Sequence, residues 1–331
     1  MLLNTGISVR YISSFSKEAL KRKRINFYAL PLTTKKTFIH CKYNDSIFPN
    51  GKKTLENKII DKATNMWKSF STSNSSINKK VVHWINKILS NIPWFETCLM
   101  SIPSQKFITR KLKQDDKERN EGNDKENELF VTHDEILEKQ LKSHDLEMFS
   151  YYYPNKLTNI EVMLDTLKPV FKSQYELHKK GILRDLLLMP LTIPFVLVPL
   201  LPNIPGFYLL YRIYCHIKVI SSLKYMIILL KDGHLEYEPV DLLSEIYLKT
   251  QDTEIRSNVL EQLEYVQKRK EGTLSESIDL LAGDTPEKLL ISEDVAKELC
   301  ETLDDPECTE KLIFAIQQER ELQKKKTEET V

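Results

Sequence analysis

The run ILRDLLLMPLTIPFVLVPLL, residues 182–201, constrains this chain more than any other feature. It carries no charge from Leu186 to Leu201, yet it holds Pro190, Pro194 and Pro199. Roughly twenty residues at ~1.5 Å rise would cross a hydrocarbon layer of ~30 Å. In a water-soluble helix each interior proline costs ~3 kcal/mol, whereas packed membrane helices re-satisfy the freed carbonyls with neighbouring groups. An uncharged turn follows, Pro202-Asn203-Ile204-Pro205-Gly206, and then a second apolar stretch, Phe207 to Leu230, which carries Arg212, His216, Lys218 and Lys224. The pattern predicts a helical hairpin over 182–230. Three placements fit it: a two-pass hairpin, a re-entrant or monotopic one, and the buried core of a soluble protein. Basic residues flank it on both sides (Lys168, Lys172, Lys179, Lys180 and Arg184 before, Lys231 after). In a membrane this keeps both flanks on one side and turns the Pro202–Gly206 loop to the other.

The rest of the chain is too polar for a polytopic transporter. With 29% charged and 41% apolar residues over 331 positions, most of its mass belongs in water. A net charge of +1 excludes a global nucleic-acid footprint. Five scattered cysteines (Cys41, Cys98, Cys215, Cys300, Cys308) form no CxxC pair and no metal-ligand spacing, so they read as free thiols, and neither a metal nor a cofactor is expected. No Gly-rich phosphate loop and no spaced Ser/His/Asp set is present, and the chain is not expected to be an enzyme.

The first 26 residues set Arg10, Lys17, Lys21, Arg22, Lys23 and Arg24 against a single acid, Glu18, among serines. That composition predicts a mitochondrial transit peptide. An N-terminal soluble module is expected over 27–110. Within it FYALPLTTKKTFIHC (27–41) suits a short strand or docking segment, with helices from Leu55 to Phe70 and from Val81 to Leu89. Residues 111–130 read as a charged linker, since KLKQDDKERNEGNDKENE has no apolar face to bury. Amphipathic helices are expected over 131–181, opened by a capping box at Thr132 and Glu135. After the hairpin a C-terminal helical domain covers 231–331, with helices around Leu242–Tyr247 and Ile255–Val266. Further helices are expected from the Thr285-Pro286 start, from the Ser292-Glu293-Asp294 cap, and after Pro306. The fold class expected is mainly α: a membrane protein with one proline-rich helical hairpin, two-pass or re-entrant, flanked by soluble helical segments.

Arg212 and His216 are four apart and share a helix face. Ionisable groups at membrane depth usually mark a pathway or a partner contact, and imidazole titrates near physiological pH. Arg212, His216 and Lys218 are therefore candidates for an ion- or proton-linked site. The same residues also suit snorkelling or lipid-phosphate contact at the interface.

The run Leu186 to Ser222 resembles the mitochondrial potassium–proton exchange-related family. The proline-spaced apolar stretch, the P-N-I-P-G-F-Y turn and the Tyr211-Arg212 and His216 positions carry the likeness, and FYALPLTTKKTFIHC resembles that family's N-terminal block. The motif positions are Pro202, Asn203, Pro205, Gly206, Tyr208, Tyr211, Arg212 and His216. The resemblance implies an inner-membrane protein needed for exchange of matrix K+ for H+ and so for volume homeostasis; in that membrane the basic flanks place both termini in the matrix. A single hairpin cannot enclose an aqueous path, which implies a homo-oligomer or a subunit or regulator of a larger complex, among inner-membrane lipids. The alternative is a matrix-facing, membrane-anchored scaffold or assembly factor without transport activity.

Overall fold

A strand buried on both faces organises the molecule. The computed structural model describes residues 24–43, 91–104, 110–112, 130–140, 146–196, 204–231, 233–272 and 286–330, with isolated positions between 47 and 87. Most of the expected transit peptide, of the helix from Leu55 to Phe70 and of the charged linker lies outside the described residues, although Ile25 and Asn26, placed in the transit peptide, belong to the first strand.

Strand β1 (Ile25–Pro31) is buried at every position and pairs antiparallel with β2 (Thr37–Tyr43). Helix α1 (Trp94–Met100) follows, then the short pair β3 (Arg110–Lys111) and β4 (Phe130–Val131). Helix α2 (His133–Glu138) opens with the expected capping box, Thr132 and Glu135 each holding the other's backbone N–H. Strand β5 (Phe149–Tyr153) lies parallel to β1. The chain then runs through α3 (Ile160–Leu188), a 3₁₀ turn (Met189–Thr192), the short α4 (Ile193–Val196) and α5 (Ile204–Lys231), and returns as β6 (Leu235–Pro239), parallel to β5. Helices α6 (Asp241–Tyr247), α7 (Thr253–Lys270), α8 (Glu293–Thr302) and α9 (Pro306–Thr330) complete it.

The sheet order is β2-β1-β5-β6, a mixed sheet whose central strands are aromatic-rich because both faces are covered. Alternate residues feed two cores. Ile25, Phe27, Ala29, Tyr151 and Tyr237 meet α3 and α5. Tyr28, Leu30, Phe38 and Tyr152 meet the C-terminal helices through Leu243, Val259, Leu299 and Leu312. The hairpin and the C-terminal helices thus sit on opposite faces of one sheet.

Two expectations need correction. The mainly helical class is right for most of the chain, but it omits this sheet. Residues 235–239 are a strand rather than part of a helical domain, because Leu235 and Tyr237 alternate with Glu236 and Glu238, and the Glu238 carboxylate finds the Ser150 hydroxyl on β5. Likewise Leu289 does not follow a helix start at Pro286. It bridges Thr33, and Leu290 donates its N–H to the Leu32 carbonyl, so this segment runs extended until the helix after Ser292. The helices expected near 242–247, 255–266 and after Pro306 are present.

Candidate functional site

The buried face of α3 changes character along its length. Asn159 caps it by accepting from the Glu161 N–H, and Ile160, Met163, Leu164, Leu167 and Phe171 then form a helical stripe against the sheet. Beyond Phe171 the positions that continue inward are His178, Gly181 and Asp185. Helix α5 mirrors the change. Val219, Leu223, Met226 and Leu229 are buried in the sheet core, whereas one and two turns earlier His216 and Arg212 occupy the inward face. Polar groups therefore meet polar groups just above the last apolar layer. The third side is closed by α1, which presents Glu96, only 3% exposed.

Arg212 donates from both terminal nitrogens to Glu96, at 2.6 and 3.1 Å, a bidentate geometry that compensates a buried charge. The Nδ1 atoms of His178 and His216 are 2.7 Å apart. His216 Nε2 stands 3.3 Å from Asp185 Oδ2, and neither atom makes a hydrogen bond. The other Asp185 oxygen accepts from Arg184 Nε at 2.8 Å, and Arg184 itself reaches solvent. Burial pushes His178 down to about 4, so this imidazole is neutral at neutral pH.

Gly181 is what lets the rings fit. A Cβ at this position would lie 2.5 Å from His216 Nε2 and 2.7 Å from its Cε1. The imidazole thus packs directly on the α3 backbone, in space that any side chain at 181 would fill.

Of the residues singled out in the sequence, Arg212 and His216 come together in this cluster. Lys218 is half-buried and lies two residues, and so more than half a helical turn, away from it. Pro190 falls in the 3₁₀ turn, Pro194 in α4, and Pro205 and Gly206 in the first turn of α5, with Tyr208 half-buried and Tyr211 exposed. Pro199, Pro202 and Asn203 lie outside the described residues. Sequence reasoning missed Glu96, His178, Gly181 and Asp185. The spacing of 178, 181 and 185 is helical and was a usable signal, but Glu96 is more than eighty positions away and had none.

A second concavity, of about 570 Å³, lies on the other side of α1 and is lined by Lys36, Trp94, Met163, Tyr265, Arg269 and Glu319 among others. Its central carboxylate is already committed. Glu319 accepts from Lys36 Nζ at 2.8 Å and from Trp94 Nε1 at 2.6 Å. The His–His–Asp cluster, with its unpartnered nitrogen and oxygen, is the stronger candidate.

Comparison with known proteins bears on this same region. The model of the mitochondrial K+–H+ exchange-related family matches residues 26–230, from the first strand of the sheet to the end of α5. The chain belongs to this family. An uncharacterized protein of Saccharomyces cerevisiae is 31% identical over 255 residues, covering 75% of this chain and 77% of the yeast protein. An uncharacterized protein of Schizosaccharomyces pombe is 32% identical over 195 residues, covering 59% of this chain and 70% of its own. No solved structure gives a significant match. Membership carries the mitochondrial association for which the family is named, and the matched stretch contains every residue of the cluster.

Proposed function

We propose that this family member acts in mitochondrial K+–H+ exchange as an inner-membrane component or regulator, held to the membrane by the tip of its hairpin with both sheet faces in the matrix. One observation carries this reading: the hairpin is divided. Among the described residues α5 is the helix long and apolar enough to cross a membrane, yet half of its most apolar stretch is buried inside the protein. Its C-terminal half belongs to the sheet core. At the tip, Leu186, Leu187, Leu191, Ile193, Phe207 and Leu210 are exposed, and large apolar side chains grouped this way mark a surface that contacts a membrane or another protein.

The level of Arg212 supports a re-entrant placement over a two-pass one. At Arg212 the hairpin is still held by Glu96 of α1, so lipid can begin only beyond it. From Arg212 back to Ile204, α5 rises about 12 Å, near half of a ~30 Å hydrocarbon layer. That described part of the tip fits within one leaflet. One such tip cannot line an aqueous path, so exchange would need further copies or a partner subunit, with K+ and H+ passing through the assembly.

The test is potassium-acetate swelling of mitochondria lacking the chain, repeated with Leu187→Asp plus Phe207→Asp. Slowed swelling in both, with the double variant recovered in the soluble fraction after alkaline-carbonate extraction, is the expected result. Normal swelling in the deletion would move the protein to the scaffold or assembly role.

A further inference from the structure

We propose that Glu96, His178 and His216 bind a divalent transition-metal ion of the Zn2+ class, with Asp185 orienting His216 as its outer partner. The inference stands whether or not the chain takes part in ion exchange. One ligand atom from each of the three residues lies within 4.8 Å of the others, and all three side chains are buried. Two imidazoles and a carboxylate form a donor set that zinc takes with a fourth position left open.

The unpartnered atoms favour this arrangement. A metal-bound imidazole commonly directs its other N–H to a carboxylate, which sets the tautomer and raises the basicity of the ligating nitrogen. His216 Nε2 faces Asp185 Oδ2 at 3.3 Å, and neither atom makes a hydrogen bond. Placing the proton on Nε2 leaves a lone pair on His216 Nδ1, which points at His178 Nδ1 2.7 Å away. There it accepts the Nδ1–H of a neutral His178, and a metal ion would take the place of that proton, which would move to His178 Nε2. In a tetrahedral site with ~2.05 Å metal–nitrogen bonds the two nitrogens stand about 3.3 Å apart, so an ion asks the rings to open by roughly half an ångström.

The surroundings are built to hold the ligands. Arg212 anchors Glu96 through both oxygens, each of which keeps a further lone pair. Arg184 fixes the second Asp185 oxygen, and its solvent-exposed side chain is the cover through which an ion would enter. Gly181 leaves the space that the His216 ring fills. Because the ligands come from α1, α3 and α5, a bound ion would tie the base of the hairpin to the sheet domain.

The full-length chain, purified in detergent and stripped with chelator, would be titrated with Co2+ and read by visible d–d absorption. One equivalent should give bands of four-coordinate intensity that Zn2+ abolishes. His178→Gln and His216→Gln should each weaken Co2+ binding at least ~100-fold, and Asp185→Asn should weaken it about 10- to 100-fold, as outer partners of metal-bound histidines do. Zn K-edge absorption on the wild-type chain reads the ligands without any variant, and two imidazoles with oxygen donors are expected. No d–d band at excess Co2+, binding indifferent to both histidine substitutions, or sulfur in the zinc shell would overturn the proposal.

Discussion

Among the described residues there are two buried histidine–carboxylate pairs, one on each side of the sheet, and they are built differently. On the C-terminal side His40 Nε2 and Asp305 Oδ2 meet at 2.8 Å. Asp305 Oδ1 also accepts from the Cys308 N–H at the start of α9, and the His40 ring lies between Tyr28 and Phe38. His40 Nε2, both Asp305 oxygens and the imidazole ring each have a structural employment: a hydrogen bond, a helix cap or an aromatic contact. On the hairpin side His216 and Asp185 stand 3.3 Å apart, with one atom of each unpartnered, although both residues are about as buried. Low dielectric makes an unmatched polar atom costly. The first pair contributes stability; the second leaves an unmatched contact beside the His178–His216 hydrogen bond.

The largest expected effect comes from removing the charge that makes the hairpin-side cluster tolerable. Arg212→Met leaves Glu96 buried without its partner, and such losses cost about 3–5 kcal/mol. Equilibrium unfolding of the full-length chain in detergent should show that drop, with most of it restored in the Glu96→Gln, Arg212→Met double variant. Gly181→Ala should follow, at about 1–3 kcal/mol, since its Cβ meets the His216 ring rather than open space.

Next comes the direct contrast. Asp305→Ala removes both the His40 bond and the α9 cap and should cost about 2–3 kcal/mol. Asp185→Asn, measured without metal, should change stability by less than about 1 kcal/mol, because the contact with His216 is not a formed hydrogen bond and the amide oxygen can still accept from the solvent-exposed Arg184. Equal losses in these two variants would break the distinction between the pairs.

The smallest effect is on acid stability. Burial works to raise the Asp305 pKa, but the hydrogen bonds from His40 and the Cys308 N–H, together with the nearby charges of His40 and Lys42, outweigh it, and the carboxyl titrates below its ordinary value. A depressed folded-state pKa contributes stability above the unfolded value of about 3.9 that is lost as pH falls through the folded one. Thermal midpoints should therefore fall on acidification below about pH 5, and Asp305→Asn should flatten that slope.

Much of the architecture could be read without coordinates. The Thr132–Glu135 capping box, the apolar stripe of α7 and the first-turn Pro306 of α9 are local signals, set by residues three or four apart, and the structure contains each one. The sheet was legible only in part. Residues 27–41 suggested a strand through their aromatic and β-branched content, whereas Leu235–Pro239 carries two glutamates and becomes a strand only beside β5.

By itself the sequence determined that one long, proline-punctuated apolar hairpin would dominate the chain, that Arg212 and His216 would share a face of it, and that the chain resembles the K+–H+ exchange-related family. Those properties depend on periodicity and composition, which are local. Tertiary structure alone decided that half of α5 is claimed by the sheet rather than exposed, and that His178 and Asp185 on α3 and Glu96 on α1 converge on His216. Both results come from packing against elements distant in the chain, the sheet on α5 and α1 on the hairpin, and contacts of that kind leave no spacing that links the partners in a linear sequence.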